Sequence, residues 1–269
     1  MVSALRLDMH NHLKVAKRMP FRLRDAERFA RTLLRRGLHG GAVTEHFHAQ
    51  GFWRMYASLA AHHEYKAGRF EIGGALFFSG AELTLAEKID VLIIAPLHEL
   101  RRLDDAFGAA LSEGHHPTAL EFADTVEALR LRALKIAAHP MRPGRSIHRL
   151  DATLLERMFD AVEINARFAA DDEAEVRAFA ARTGTPLTGG SDAHVWLQAG
   201  AAWTEIDAEA DTFEALSGAV SVGRCRAVVH HEAAELCESG AEWKAALKAA
   251  HYAFPAGAPS DDAGEFAHI

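Results

Sequence analysis

Seven positions carry donor side chains in short, spaced motifs: His10 and His12 in DMHNH, His46 in TEH, Glu82 in GAEL, His139 in AHP, and Asp192 and His194 in GGSDAH. Neutral imidazole nitrogens and carboxylate oxygens are donors suited to zinc, manganese or iron(II). Side chains of an extended strand repeat every two residues, so His10 and His12 share a side and can chelate one ion. A carboxylate such as Glu82 is able to bridge two cations a few ångströms apart. The glycines before Ser191-Asp192-Ala193-His194 let the chain turn sharply beside an Asp and a His two residues apart. These donors come from a histidine-rich pool, 17 His against 3 Tyr in 269 residues. Thiolate sites are excluded, because Cys225 and Cys237 are the only cysteines and form no CxxC pair.

Such donors work only if the fold brings them together. Apolar runs of strand length alternate with segments of helical period. The expected strands are Leu5–Met9, Gly41–Thr44, Ile72–Leu83 (in two pieces), Val91–Ala95, Leu134–Ala138, Ala161–Asn165 and Pro186–Gly190. Expected helices are Arg22–Arg36, Phe52–Lys66, Glu99–Ser112, Ala119–Arg132, Ala152–Phe159, Asp171–Arg182, Thr212–Ser217 and one near Ala241–Ala250. This alternation predicts an α/β fold with a mostly parallel sheet, and seven units are enough for a closed or nearly closed barrel. The donors then sit at or just past the carboxyl ends of strands, on one face. Residues 1–252 are read as a single barrel domain and 253–269, rich in Ala, Gly, Pro and Asp, as a loose C-terminal tail.

The order DMHNH, TEH, GAEL, AHP, GGSDAH resembles the polymerase and histidinol phosphatase (PHP) superfamily over roughly residues 7 to 205, including VEIN at 162–165. The resemblance implies a distorted (β/α)7 TIM-like barrel and two or three divalent ions (Mn, Fe or Zn) for hydrolysis of phosphate esters. It implies that His10, His12, Glu82 and Asp192 hold a first metal. Glu82 would bridge to a second that also takes His139, while His46 and His194 match ligands of a third. One further donor to the second metal is either Asp90 or His98, in IIAPLHEL. A straight strand over 90–98 would separate them by roughly 25 Å, so at most one is a ligand, and the end of the strand favours His98. The family's additional His after HxH is missing here, and Lys14 or Lys17 is a candidate to supply positive charge in its place.

The chemistry implied is attack by metal-activated hydroxide on phosphorus, with Asp192 essential and His194 or His46 free to protonate the leaving oxygen if no third metal is held. Arg142, Arg145, Arg167 and Lys17 are candidates to grip the phosphate. The formal charge of −7 argues against long nucleic acid or an anionic membrane as partner and leaves a small phosphorylated substrate. No apolar run approaches the roughly 20 residues of a membrane span, and a cytoplasmic protein is expected. Two other readings compete. An amidohydrolase-type C–N hydrolase also starts with HxH but usually bridges its metals with a modified Lys, for which no strand-end Lys is evident. A non-catalytic PHP-like metal-binding domain would not be expected to keep so many donors.

Overall fold

The computed structural model describes residues 4–253. In chain order the elements are β1 (Leu5–Asn11), α1 (Leu23–Arg35), β2 (Gly40–Val43), α2 (Phe52–His62), β3 (Tyr65–Lys66), β4 (Arg69–Ile72), β5 (Ala75–Thr84), β6 (Asp90–Ile94), α3 (Leu97–Ser112), α4 (Ala119–Leu129), β7 (Leu134–Ala137), α5 (Ala152–Met158), β8 (Ala161–Asn165), α6 (Ala169–Thr183), β9 (Leu187–Gly190), β10 (Ala202–Ile206), α7 (Phe213–Ser221), β11 (Cys225–Val229) and α8 (Ala233–Ala253). Of the segment expected to be a tail, Ala253 ends α8 and residues 254–269 lie outside the described residues.

Seven strands, in the order β1-β2-β5-β6-β7-β8-β9, form the wall of a nearly closed barrel, with β10 and β11 continuing past β1. The gap between β9 and β1 is bridged where His12 N donates to Ala193 O at 2.7 Å and Asn11 lies in a parallel bridge with Ala193. The expected TIM-like architecture is present, with two departures from an all-parallel wall.

First, β6 runs antiparallel to both β5 and β7. Its amino end, Asp90, therefore lies beside the carboxyl ends of its neighbours, and Ile94 leads away to the opposite end. Second, the expected Ile72–Leu83 strand is a β4–β5 hairpin, turned at Gly73 and Gly74 with φ of 56° and 86°. Two consecutive positive φ angles are what a tight hairpin turn requires and what glycine adopts without strain. Strand β10 was not anticipated; in the structure its residues, AWTEI, alternate between buried and half-buried.

The inside of the barrel is filled at one end by Leu7, Met9, Ala42, Phe78, Leu92 and Ile136, all fully buried. Helices cover the outside with apolar faces; α1 buries Ala26, Phe29, Ala30 and Leu33, the three-and-four spacing of one helical face.

A local irregularity in β1 matters for function. Strict alternation would put Leu7 and Met9 on one face and His10 and His12 on the other. The register of β1 against β2 shifts between Asp8 and Asn11, a β-bulge that adds one residue to β1. Past the bulge the even-numbered residues face inward, so both imidazoles enter the barrel above the apolar floor. Asn11 Nδ2 donates to Asp8 O at 2.8 Å and to Ala42 O at 3.3 Å, occupying carbonyls at the break in the ladder.

Candidate metal centre

The strand ends bring His10, His12, Glu82, Asp90, His139 and Asp192 into one buried cluster, with His46 and His194 at its rim. Glu82, late on β5, is at its centre. Its Oε1 lies 3.3 Å from His139 Nε2 and 3.7 Å from His10 Nε2, and its Oε2 lies 2.6 Å from His46 Nδ1 and 3.7 Å from His12 Nε2. One carboxylate thus faces four imidazoles, two per oxygen. Asp192 Oδ1 lies 3.2 Å from His12 Nε2 and 3.6 Å from His10 Nε2.

Three overlapping groups have donor atoms within 4.8 Å of one another: His10, His12 and Asp192; Glu82, Asp90 and His139; and His12, His46 and His194. The donor set fits divalent cations. The buried His46 Nδ1, aimed at Glu82 Oε2, makes no hydrogen bond, and the Nε2 atoms of His10 and His12 face each other at 3.1 Å. Such an array is costly to bury without positive charge between its members.

Electrostatics agree with this. Burial alone would lower His10 and His12, but Glu163, Asp192 and Glu82 around His10, and Asp192 and Glu45 beside His12, outweigh it and raise them to about 10 and about 9. The acids around both imidazoles thus favour positive charge at this point. Burial would likewise raise Glu82 and Asp192, yet the surrounding imidazoles hold both well below the carboxylate range. Burial, then the His12 charge, lowers His46 and His194. Neutral imidazoles at the rim suit ligands better than donors of a proton to a leaving group.

Asp90 and His98 are separated by the reversed direction of β6. Asp90 lies in the cluster, 3.8 Å from His139 Nε2, and accepts from Thr84 Oγ1 at 2.6 Å. His98 sits in the first turn of α3, with its side chain 61% exposed and its Nε2 3.1 Å from Arg132 Nη2. The preference for His98 assumed that Val91–Ala95 runs parallel to its neighbours; the antiparallel β6 carries His98 to the far end of the barrel.

The candidate phosphate cations surround the centre in different states. Arg145 Nη1 donates to both oxygens of Asp90, at 3.0 and 2.7 Å. Arg167 Nη1 is 3.7 Å from Asp192 Oδ2. Arg142 and Arg167 each lean on the ring of Phe168, which packs edge-on against His139. Lys17 Nζ meets His48 Nε2 at 2.8 Å, and burial lowers its pKa against the pull of Glu82 and Asp90. Lys14 is otherwise engaged: its Nζ donates to Lys17 O at 2.9 Å and Gln50 O at 2.6 Å, so it holds a loop.

Three further residues support the donors: Glu163 and Asp8, which sequence reasoning passed over, and Asn165, whose strand-end position suits a residue that orients a ligand. Glu163 Oε1 is 2.9 Å from His10 Nδ1, which leaves Nε2 for the centre, and Glu163 Oε2 accepts from His139 N at 2.8 Å. Asn165 holds that Oε2 at 3.0 Å and also accepts from Arg167 N at 3.1 Å. Asp8, fully buried, takes the hydroxyl of Ser191 at 2.6 Å and the amides of Ser191 and Gly200 at 2.9 and 2.7 Å, and so fixes the loop before Asp192. The glycine before Ser191 has a steric reason: a Cβ at Gly190 would stand 2.3 Å from Glu163 Oε1. His139 and Asp192 adopt left-handed backbone, with φ of 31° and 52°. For residues with a Cβ this is strain, and two of the five described non-glycine residues with positive φ are these donors. Glu163 had a readable signal, a lone acid inside the apolar VEIN strand.

Beside the centre, on the Lys17 and His48 side, a cavity of about 730 Å³ is lined by Lys17, Arg18, Arg54, Phe52, Trp53 and Asp104, among others.

Residues 172–225 match a PHP-associated family model. No curated protein matches the chain by sequence. Among solved structures, PsfC from Pseudomonas syringae is 23% identical with a TM-score of 0.79, covering 91% of this chain and 100% of its own. A lesion-specific endonuclease from Pyrococcus furiosus is 22% identical with a TM-score of 0.64, covering 83% of this chain and 57% of its own. A two-domain Bacteroides vulgatus protein containing a predicted PHP-like metal-dependent phosphoesterase is 17% identical with a TM-score of 0.54, over 85% of this chain and 65% of its own. Identities this low speak for the fold and leave the chemistry to the site.

Proposed function

We propose that this chain belongs to the PHP superfamily and is a metal-dependent hydrolase of small phosphate esters, and that residues 1–252 act as one barrel domain. The observation that carries the reading is Glu82, buried between four imidazoles with Asp90 and Asp192 to either side. That is the donor set of a centre with more than one cation. An amidohydrolase-type bridge through lysine is disfavoured, since the bridging position belongs to a glutamate.

His10, His12, Glu82 and Asp192 would hold one cation; Glu82, Asp90 and His139 a second; and His46 with His194 a third. Bound cations would supply activation of water and neutralisation of phosphoryl oxygens. The protein's own groups do the rest. Glu163 keeps His10 oriented with Nε2 inward, and Asp8 holds the backbone of the Asp192 loop. Arg145 restrains Asp90, while Arg142, Arg167 and Lys17 line the approach with positive charge for an anionic substrate. In a chain of net charge −7, these local cations serve a compact phosphate better than a long polyanion. The adjoining cavity has the volume of a small-molecule pocket, and its Phe52 and Trp53 offer apolar surface for the ester's organic part.

Metal analysis of the purified protein, with turnover of p-nitrophenyl phosphate, bis-p-nitrophenyl phosphate and a duplex oligonucleotide, tests this. Bound or added manganese, iron or zinc should support hydrolysis of the small esters. Absence of both metal and turnover rejects the hydrolase reading; cleavage of the oligonucleotide alone rejects the small substrate.

A further inference from the structure

Helix α8 is outside the barrel wall, yet one stripe of it is buried or half-buried: Ala233, Cys237, Gly240, Lys244 and Leu247, at spacings of three and four. The intervening positions are mostly exposed. Its place is set by Gln198. A Cβ on Gly240 would stand 2.1 Å from Gln198 Cγ, so the helix backbone rests directly on that side chain. Gln198 Nε2 donates to Cys237 O at 3.4 Å, and its Oε1 accepts from His194 N at 3.0 Å. One side chain therefore ties α8 to the backbone of a rim histidine. A second anchor is Trp243, edge-on to Trp196 at 6.3 Å, with Arg28 stacked on Trp196 at 4.4 Å.

Lys244 follows Gly240 by one turn on the same face. Gln198, packed against Gly240 and accepting from His194 N, sets this face of α8 over the loop that carries Asp192 and His194; there burial disfavours the ammonium, while the charges of Asp192 and Glu45 favour it. Three of the other cations there already have polar partners, Arg145 with Asp90, Lys17 with His48 and Arg167 with Asp192, while Arg142 lies over the ring of Phe168. Among the described residues, Lys244 has no hydrogen bond or ion pair. A half-buried lysine without a partner, on a helix that Gln198 ties to the loop carrying Asp192 and His194, is suited to take an anionic ligand.

We infer that α8 supplies Lys244 as a substrate-binding residue, its ammonium taking a non-bridging phosphate oxygen of the ester on the Asp192 and His194 side of the centre. The inference rests on the phosphoesterase reading above. Burial lowers the lysine to about 8, which leaves it largely charged at neutral pH and dischargeable in mild alkali.

The test uses the metal-loaded full chain as wild type, Lys244→Gln, Lys244→Arg and Lys248→Gln, the last an exposed lysine one turn further on. p-Nitrophenyl phosphate is the substrate and inorganic phosphate the inhibitor. Lys244→Gln should raise KM and the phosphate inhibition constant about tenfold, with a smaller effect on kcat and unchanged metal per chain. Lys244→Arg should recover most of the loss, and Lys248→Gln should match wild type. Unchanged KM and inhibition in Lys244→Gln overturn the inference while leaving the phosphoesterase reading intact. Lost metal in that variant also overturns it, by assigning Lys244 to charge balance among the donors. A metal-loaded wild type that hydrolyses no phosphate ester overturns both.

Discussion

The two ends of the barrel interior are equally buried and chemically opposite. At the floor, Leu7, Met9, Phe78, Leu92 and Ile136 exclude water with nothing but hydrocarbon. At the top, His10, His12, Glu82 and Asp192 are just as inaccessible but are held by mutual charge and by supporting acids such as Glu163 and Asp8. The floor stabilises by removing apolar surface from water and asks for no ligand. The top buries groups that favour hydration, carries positive φ at His139 and Asp192, and is completed by positive charge. One end makes the fold, and the other uses the rigidity of the first to hold donors a few ångströms apart.

That contrast can be broken by mutation. Glu82→Gln should remove the bridging charge and cut turnover by about 1,000-fold or more, with metal lost from the purified protein and the circular dichroism of the barrel kept; retained metal stoichiometry would demote Glu82. Phe78→Ala, at the floor, should cost about 3–5 kcal/mol in denaturant unfolding while the metal content of the folded protein stays normal. Metal loss in a still-folded Phe78→Ala would mean that the ends are not separable.

Between these extremes lies Glu163→Gln, which should weaken metal affinity about 10–100-fold without emptying the centre, because it disturbs the hold on His10 and on the His139 backbone but removes no donor. Asp90→Ala should lower metal per chain where His98→Ala should not, and the reverse result would contradict the antiparallel course of β6.

The smallest effect is in pH. His10 and His12 lie above their unfolded value of 6.5, at about 10 and about 9, so their contribution to stability is complete below 6.5 and is lost as pH rises through those values. Metal-free protein should therefore melt at progressively lower temperature from pH 7 to 10. Metal-loaded protein should decline less, since binding displaces the same protons. Parallel melting curves for the two forms would count against cations and protons sharing these sites.

Much of this arrangement was legible in residue order. His10, His12, His46, Glu82, His139, Asp192 and His194 were recognisable because strand ends of an α/β barrel converge, and local motifs at successive ends must then meet. The strand Ala161–Asn165 follows from its apolar run alone, and α1 from its period. Glu163 was visible as a lone acid inside an apolar strand, but its partner was not, because such an acid reads the same whether it serves a histidine or a solvent edge.

The amino-acid sequence by itself determined which donors exist, their order, and the alternation of strands and helices that carries them, since these depend on spacing along the chain. Tertiary structure alone decided their facing and their neighbours. The bulge in β1 turns His10 and His12 inward against simple alternation, because an extra residue reverses the pleat. The antiparallel β6 brings Asp90 in and takes His98 out, because strand direction is settled by pairing with β5 and β7 and not by the residues of β6. Gln198 sets where α8 lies, and with it Lys244, through contacts between parts of the chain that no local pattern connects.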